Sequence, residues 1–405
     1  MSEATLNPLD TVLLYYDIHP LHKHAFEELA ATFFGRLAAL PDDGVQVSDL
    51  ISPVTYFCGA VSRLDELSPA DFCKIELIED LCVGIGTEEN TVEIGRVPRN
   101  VRGVGVYFPC VFSDEDIFSG LLNVHRFGNL TESNKPGVGF RKGVYLSPVE
   151  EKEGLLNFHL LRCSTNLDGP TEAFTALDWG IVHTVNRLAQ ETLADAARAN
   201  HVLAQLYENS TASKARIKRH SDKTKDMPDN AFIAFCSFYS PDFNEKAAKM
   251  GDGRSPDEVF TRLRFRLKED ATSGDAVGPD GDAKKFDVVL HPNSVLLIPL
   301  STNRLYTHEI APSALPVDRI PVRLGYVVRC SSAPAVFRDG KTHLVTDTAE
   351  EALLPPNPEQ IQQVKTTYLA ENTTVEKVNY PAMNFSLNQG DYMMPLLRRG
   401  DDRSL

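Results

Sequence analysis

Between residues 201 and 330 the sequence is a train of short β-forming runs: HVLAQLY, KARIKRHSD, NAFIAFCSFY, TRLRFRLK, FDVVLHP, SVLLIPL, RLYTHEI and PVRLGYVVRC, each followed by turn-forming residues. Branched and aromatic residues suit a pleated, half-buried surface, and many short strands at close intervals point to a barrel or sandwich. Ahead of them, TEAFTALDWGIVHTVNRLAQETLADAARAN has few breakers and an apolar residue every three or four positions. This spacing predicts one long helix, starting at Thr171–Glu172 and ending near Asn200. The segment before it mixes the two patterns. HKHAFEELAATFFGRLAAL (22–40) has helical spacing, and RGVGVYFPCVF (102–112) has strand character. Residues 240–258 and 269–283 are expected to be long loops of the kind that act as lids. The proline-bearing tail beyond Glu350 is expected to be an irregular strap. The division is therefore 1–170, a mixed α/β extension packed on the core; 171–350, the strand-rich core with its leading helix; and 351–405, the C-terminal strap.

Bulk properties exclude several classes. Apolar residues make up 42% of the 405 and charged residues 24%, an ordinary globular balance that supports a core without staples. The net charge of −15 repels polyanions at long range, which disfavours nucleic acid and anionic membrane as partners. Seven scattered cysteines with no CxxC pair argue against a disulfide framework and for a reducing compartment. The start shows no basic segment followed by an apolar one, and no apolar run approaches the ~18–20 residues of a membrane span. A cytoplasmic enzyme with a small-molecule substrate is the expectation, and nothing here sets an oligomeric state.

The chemistry begins at His220-Ser221-Asp222. On a strand, residues two apart face the same way, so an imidazole and a carboxylate converge. Alone this pattern is common. His308, in RLYTHEI just after SVLLIPL, supplies a second imidazole. Two histidines and a carboxylate on one face of Fe(II) leave three coordination positions open, two for a 2-oxo acid and one for O2. Arg323 and Arg329 lie six residues apart, on one face of one strand, spanning roughly 20 Å. Leaning inward they leave a gap near the length of a dicarboxylate, and guanidinium forks bind carboxylates in bidentate fashion. The same alternation sets Gln205 beside Tyr207 as candidates to complete that pocket.

The order Gln205-Leu206-Tyr207, His220-Ser221-Asp222, NSVLLIPLSTNRLYTHEI, then Arg323 and Arg329 resembles the AlkB-like group of Fe(II)/2-oxoglutarate-dependent oxygenases. That group shows NxY, HxD, a strand leading into a motif much like RLFYHGI, and RxxxxxR. The match covers about residues 200–330. It implies an α+β chain whose core is a double-stranded β-helix (jelly-roll, cupin-like) with flanking helices and an N-terminal mixed α/β extension. It also implies Fe(II), 2-oxoglutarate and O2 as cofactor and cosubstrates. His220, Asp222 and His308 match the iron ligands. Arg323 matches the arginine that grips the far carboxylate of 2-oxoglutarate, assisted by Tyr207, and Arg329 matches the one near the metal-side carboxylate. The chain departs from the pattern at Gln205, where asparagine is usual, at Gly325, where a polar residue often stands, and in the longer spacing from Tyr207 to His220. The first 170 residues do not resemble the nucleotide-binding lid of the nucleic-acid demethylases. Within the group the chain is similar to fungal enzymes of secondary metabolism that close an aziridine ring on a branched amino acid.

These features lead to an oxygenase acting on a small, amino-acid-like metabolite by hydroxylation or oxidative cyclisation, with release of succinate and CO2. The alternatives are an AlkB-type oxidative demethylase of nucleic acid or protein, and a binding module that kept the fold without turnover. The run SKARIKRHSDKTK carries six basic residues but no interleaved aromatic platform, so it reads as a solvated face more than a nucleic-acid patch. Asp17, His19, His22 and His24 read as a surface helix start before a second metal site. Trp179 reads as core packing, and His343 as a residue that only borders the substrate pocket if it reaches it.

Overall fold

In a computed structural model, residues 2–40, 52–66, 75–86, 90–112, 116–132, 141–211, 214–249, 255–273 and 284–397 are described. Eight strands carry the part of the fold that holds the site: β1 (His201–Tyr207), β2 (Ile217–His220), β3 (Phe232–Tyr239), β4 (Thr261–Leu267), β5 (Lys285–Leu290), β6 (Ser294–Pro299), β7 (Tyr306–Ile310) and β8 (Arg323–Arg329). They divide between two sheets, each antiparallel among these strands, and the chain changes sheet at every step except from β4 to β5. One has the order β1-β8-β3-β6, and the other β2-β7-β4-β5. The first sheet is extended on both sides, by Arg141–Ser147 beside β1 and by Gly105–Phe108 beside β6, to ten strands in all.

The pattern in the sequence explains this arrangement. FIAFCSFY in β3 is buried at every position because β3 lies between β8 and β6 and is covered on both faces. On one face the two sheets share a core in which Leu263, Phe265, Phe286 and Ile310 of the smaller sheet pack with Phe235 of the larger. On the other face lies helix α1 (Ala176–Thr192), whose Ile181, Val182 and Val185 join the same core. The Tyr326 hydroxyl of β8 reaches this helix and donates to Asp178 at 2.7 Å.

Four sequence expectations need correction. The helix expected over 22–40 stops at Thr32, and Arg36–Ala39 is a strand in parallel register with Thr11–Tyr16. Gly35 makes this possible: at φ +147 its Hα side faces the Thr11 carbonyl, where a Cβ would sit 2.5 Å from the oxygen. The helix expected from Thr171 begins at Ala176, capped by the Thr175 side chain with Asp178 in a reciprocal capping box. Glu172–Ala173 instead pairs with Leu146–Ser147, and at the far end Leu193–Ala194 pairs with Thr5–Leu6. The loop expected over 240–258 contains a short helix, Phe243–Ala248; residues 250–254 and 274–283 lie outside the described residues.

The tail is the largest correction. Beyond the short strand Glu350–Ala352 comes helix α2 (Pro358–Thr373), with Pro358 in its first turn and an Asn357–Gln360 capping box. It buries only Val364, Tyr368 and Glu371, so its sequence shows little apolar periodicity.

The N-terminal part forms its own parallel sheet, in the order Arg36–Ala39, Thr11–Tyr16, Val54–Ala60, Ile75–Val83, Thr91–Val92, with apolar clusters on both faces. The larger antiparallel sheet thus draws strands from both sides of residue 170. The cysteines among the described residues are free, and no helix among them is long and apolar enough to cross a membrane.

Candidate metal centre and its cavity

A cavity of about 380 Å³ opens between the two sheets, lined by Gln205, Tyr207, His220, Asp222, His308, Arg323 and Arg329 among others. The sequence reading named these residues, and the fold brings all of them to one place.

His220 and His308 are direct partners across β2 and β7, with ring centroids 4.5 Å apart. Ile217 pairs with Ile310 in the same ladder, so three steps on β2 match two on β7. This extra residue makes a bulge. It turns the Lys218 carbonyl toward His220, whose Nδ1 lies 2.8 Å from it. A carbonyl only accepts, so Nδ1 carries the proton and Nε2 keeps its lone pair for the cavity. That nitrogen is 3.5 Å from Asp222 Oδ1, and His308 Nε2 is 3.6 Å from the same oxygen. The ligand atoms of the three residues lie within 4.8 Å of one another, the only such group among the described residues.

Asp222 is not placed by strand alternation, because β2 ends at His220. Its backbone is clamped by Asn303: the Asp222 N–H donates to the Asn303 amide oxygen and the Asn303 amide donates back to the Asp222 carbonyl, both at 2.9 Å. From α2, the Asn372 amide oxygen accepts from the Ser221 N–H at 2.9 Å and from the Lys223 ammonium at 2.8 Å. Both asparagines escaped the sequence reading, and nothing local in the sequence signals either.

The electrostatics suit a cation. Burial alone would raise the Asp222 carboxyl, but Arg329, whose Nη1 lies 3.4 Å away, together with His220 and His308 holds it far below the usual carboxylate range. Burial, reinforced by His220, pushes His308 down to about 3, so its imidazole is neutral and able to donate a lone pair. Phe235 packs edge-on against the His308 ring at 5.3 Å and fixes its plane.

On β8 the alternation places Arg323, Gly325, Val327 and Arg329 on the cavity face. Arg323 is 3% exposed; its Nε and Nη2 donate to Ser237 Oγ at 3.2 and 3.1 Å, and its guanidinium lies 4.9 Å over the Tyr207 ring. The Tyr207 hydroxyl donates to Gln205 Oε1 at 3.0 Å. A Cβ at Gly325 would meet both Arg323 Nη atoms and Tyr207 at 3.1–3.2 Å, so the glycine leaves the guanidinium its berth. Arg323 Nη1, Arg329 Nε and Arg329 Nη2 are buried donors with no partner. Buried N–H groups of this kind are costly unless an anion meets them. The two-histidine, one-carboxylate set fits a divalent metal, and the orphaned donors fit an acid beside it.

The other candidates lie elsewhere. His24 pairs with Glu28 at 3.3 Å, and His19 Nδ1 accepts from the Leu21 N–H. Trp179 packs edge-on against Phe174 at 5.0 Å. His343 sits on the strand Lys341–Val345 and does not line the cavity.

No protein-family model matches the chain, and no curated protein matches it. Among solved structures 115 chains match. A Pseudomonas putida prolyl-4-hydroxylase is 14% identical over 47% of this chain and 68% of its own, with a TM-score of 0.25. The structure of OsALKBH1 is 15% identical over 57% of this chain and 99% of its own, with a TM-score of 0.32. The non-heme alpha ketoglutarate dependent epimerase SnoN from nogalamycin biosynthesis is 12% identical over 73% of this chain and 94% of its own, with a TM-score of 0.34.

Proposed function

We propose that the chain is a non-heme Fe(II)/2-oxoglutarate-dependent oxygenase that oxidises a small, amino-acid-like metabolite, by hydroxylation or by oxidative cyclisation such as aziridine formation, releasing succinate and CO2. One observation carries the reading: a two-histidine, one-carboxylate set shares a cavity with three buried guanidinium nitrogens that have no partner. The strand order supports a double-stranded β-helix as its frame, with β1-β8-β3-β6 facing β2-β7-β4-β5. In this reading the eight strands of the frame and the helix before them lie within 171–350, the extension 1–170 packs on that frame and adds strands to its larger sheet, and 351–405 is a strap over it.

His220, Asp222 and His308 would hold the Fe(II). With 2-oxoglutarate and O2, the bound metal supplies the oxidising power to break an unactivated C–H bond. The remaining work falls to the protein. Arg329 keeps Asp222 ionised, and the Lys218 carbonyl keeps the His220 proton on Nδ1. Arg323 receives the far carboxylate of 2-oxoglutarate, with Tyr207 beneath it and Gln205 orienting the phenol; Arg329 attends the metal-side carboxylate. Leu203, Phe235 and Val327 exclude water from the space where the C–H bond lies.

Oxidative demethylation of nucleic acid is the rival reading, and the basic run 214–225 is its sequence support. Half of that run is spent inside the protein. Lys214 donates to the Ser313 and Leu315 carbonyls, and Lys223 and Lys225 are tied to Asn372 and Asp226. The test is anaerobic addition of Fe(II) and 2-oxoglutarate, which should give the visible charge-transfer band of a chelated 2-oxo acid. A chain that produces no such band, and no iron-dependent succinate on admitting O2, is not this enzyme.

A further inference from the structure

Of the large apolar side chains that the described residues expose, Leu369 is the one that lines the cavity, and it is 62% exposed. A single exposed leucine on a helix is ordinary. This one stands beside the open side of the triad. The His220 side chain is 31% exposed, against 11% for Asp222 and 4% for His308, so a molecule reaches the three ligands from the His220 side. That is the side that α2 crosses. Asn372 holds the N–H of Ser221, the residue between two of the ligands. Leu369 lies one helical turn before Asn372, about 5–6 Å away along the same face. Lys365 and Tyr368 complete the stripe that α2 turns to the cavity.

The stripe is held in place. The Lys223 ammonium donates to the Tyr368 carbonyl at 2.9 Å, the Thr224 N–H to the Glu371 carboxylate at 3.0 Å, and the Lys268 ammonium to the Glu371 carbonyl at 2.7 Å. Lys223 and Thr224 follow Asp222 directly, so Leu369 keeps a set position relative to the triad. No described residue of 240–258 or 269–283, the segments expected as lids, lines the cavity. On the larger sheet the cavity wall has an apolar row, with Leu203 opposite Val327 and Val327 opposite Phe235. Phe235 touches the His308 ring. A molecule beside the triad therefore meets apolar surface at its inner end from this row and at its outer end from Leu369. Apolar surface left bare to water gains when another apolar group covers it.

Resting on the oxygenase reading, we infer that Leu369 is a specificity-determining residue that covers a saturated hydrocarbon chain of the substrate, lying between α2 and the Leu203–Val327–Phe235 row. The substrate class is a small metabolite with an aliphatic side chain, as opposed to a hydroxylated one. The chain is short, because the cavity holds about 380 Å³ and the cosubstrate shares it. Selection then rests on a helix outside 200–330, the stretch that carries the metal and cosubstrate motifs, so substrate choice and oxidative chemistry are encoded in separate parts of the sequence.

The experiment is anaerobic calorimetry of the full chain loaded with Fe(II) and 2-oxoglutarate. The probes are L-alanine, L-2-aminobutyrate and L-2-aminopentanoate, with L-serine and L-homoserine as hydroxylated counterparts. Affinity should rise by up to about 4-fold per methylene along the first three. L-2-Aminopentanoate should bind at least about 10-fold tighter than L-homoserine, which puts a hydroxyl where the other has a methyl group. Leu369→Asn should bring that ratio to within about 3-fold, and Leu369→Met should keep it. Both probes meet the same protein, so a general loss of stability cancels from the ratio. Leu354, also exposed but away from the cavity, provides the control: Leu354→Asn should leave the ratio as in the wild type. Equal binding of the two probes by the wild type, or no binding by any of the five, would overturn the inference. So would an unchanged ratio in Leu369→Asn, an equal fall in Leu354→Asn, or a loss of 2-oxoglutarate affinity in Leu369→Asn as large as the loss of L-2-aminopentanoate. The charge-transfer band on the wild type tests the oxygenase reading by itself, so the two can fail separately.

Discussion

Under the proposed function, replacing Arg323 with methionine should separate 2-oxoglutarate recognition from folding. In the structure Arg323 is buried on β8, held by Ser237 and stacked over Tyr207, with Nη1 left without a partner. Removing one member of a buried charge pair costs about 2–5 kcal/mol of binding. The affinity for 2-oxoglutarate should therefore fall by roughly 30-fold to several thousand-fold, at about 1.4 kcal/mol per decade. Stability should move the other way or not at all, since the variant swaps an unpaired buried guanidinium for a hydrophobe of similar reach. The assay is anaerobic titration of the Fe(II)-loaded protein with 2-oxoglutarate and, in parallel, with 2-oxobutanoate, which keeps the chelating end and lacks the far carboxylate. Arg323→Met should weaken the first and leave the second nearly unchanged. If both ligands lose affinity equally, Arg323 supports the site without reading the carboxylate. A loss under 3-fold for 2-oxoglutarate would remove Arg323 from recognition altogether.

Three further outcomes are expected. Asp222→Ala and His220→Ala should each abolish iron-dependent succinate formation while leaving the cooperative thermal transition in place, and retained turnover in either would sink the metal assignment. Gly325→Ala should weaken 2-oxoglutarate binding by a few-fold to 10-fold, since the new Cβ meets the Arg323 guanidinium at 3.1 Å and an off-rotamer side chain costs about 0.5–1.5 kcal/mol; an unchanged titration would show that Arg323 needs no such space. His125 lies buried between Glu172 and Asp178, at 2.8 and 2.9 Å. Burial alone would lower its pKa, but the two carboxylates raise it above 6.5. A raised folded-state value means the stabilisation is complete below 6.5 and is lost as pH climbs through the raised value. The stability gap between wild type and His125→Gln, about 3–5 kcal/mol for a broken buried pair, should be widest near pH 6 and narrow toward pH 10. A gap constant across that range would mean that His125 is neutral throughout.

What the sequence made legible follows from how each residue is positioned. β1 was legible to the residue and β8 to within two at its start and one at its end, and the period of two along each strand puts Gln205 with Tyr207 and Arg323 with Arg329 on the cavity face. His220 and His308 were legible as types, but their meeting depends on the bulge between Ile217 and His220, which has no residue signature. The second half of 22–40 misled because the helical spacing of RLAAL counts for less than ladder bonds to Thr11–Tyr16. The α2 helix hid for the opposite reason: it buries few side chains, so its periodicity is faint, and capping signals at Asn357 and Pro358 mark it better than hydrophobicity does.

The residues that sequence reasoning missed share one physical trait. Asn303 reaches Asp222 across 81 positions, and Asn372 reaches Ser221 across 151. Each acts through an amide that meets a backbone group, so any segment of suitable shape would serve and no motif is required. Such contacts set angles more than identities. The triad's chemistry is written in three side chains, but its geometry is held by a bulge carbonyl, the Asn303 amide against the Asp222 backbone, and a helix 150 residues downstream. It follows that Asn372→Ala, which touches no proposed ligand, should loosen the His220–Asp222 segment through Ser221 and Lys223 together. The expected signature is weaker Fe(II) binding, by about 10-fold or more as for other supports behind a metal ligand, with 2-oxobutanoate and 2-oxoglutarate affected alike. That is the converse of the Arg323→Met pattern, and a selective loss of 2-oxoglutarate in Asn372→Ala would show that α2 acts on the cosubstrate and not on the metal.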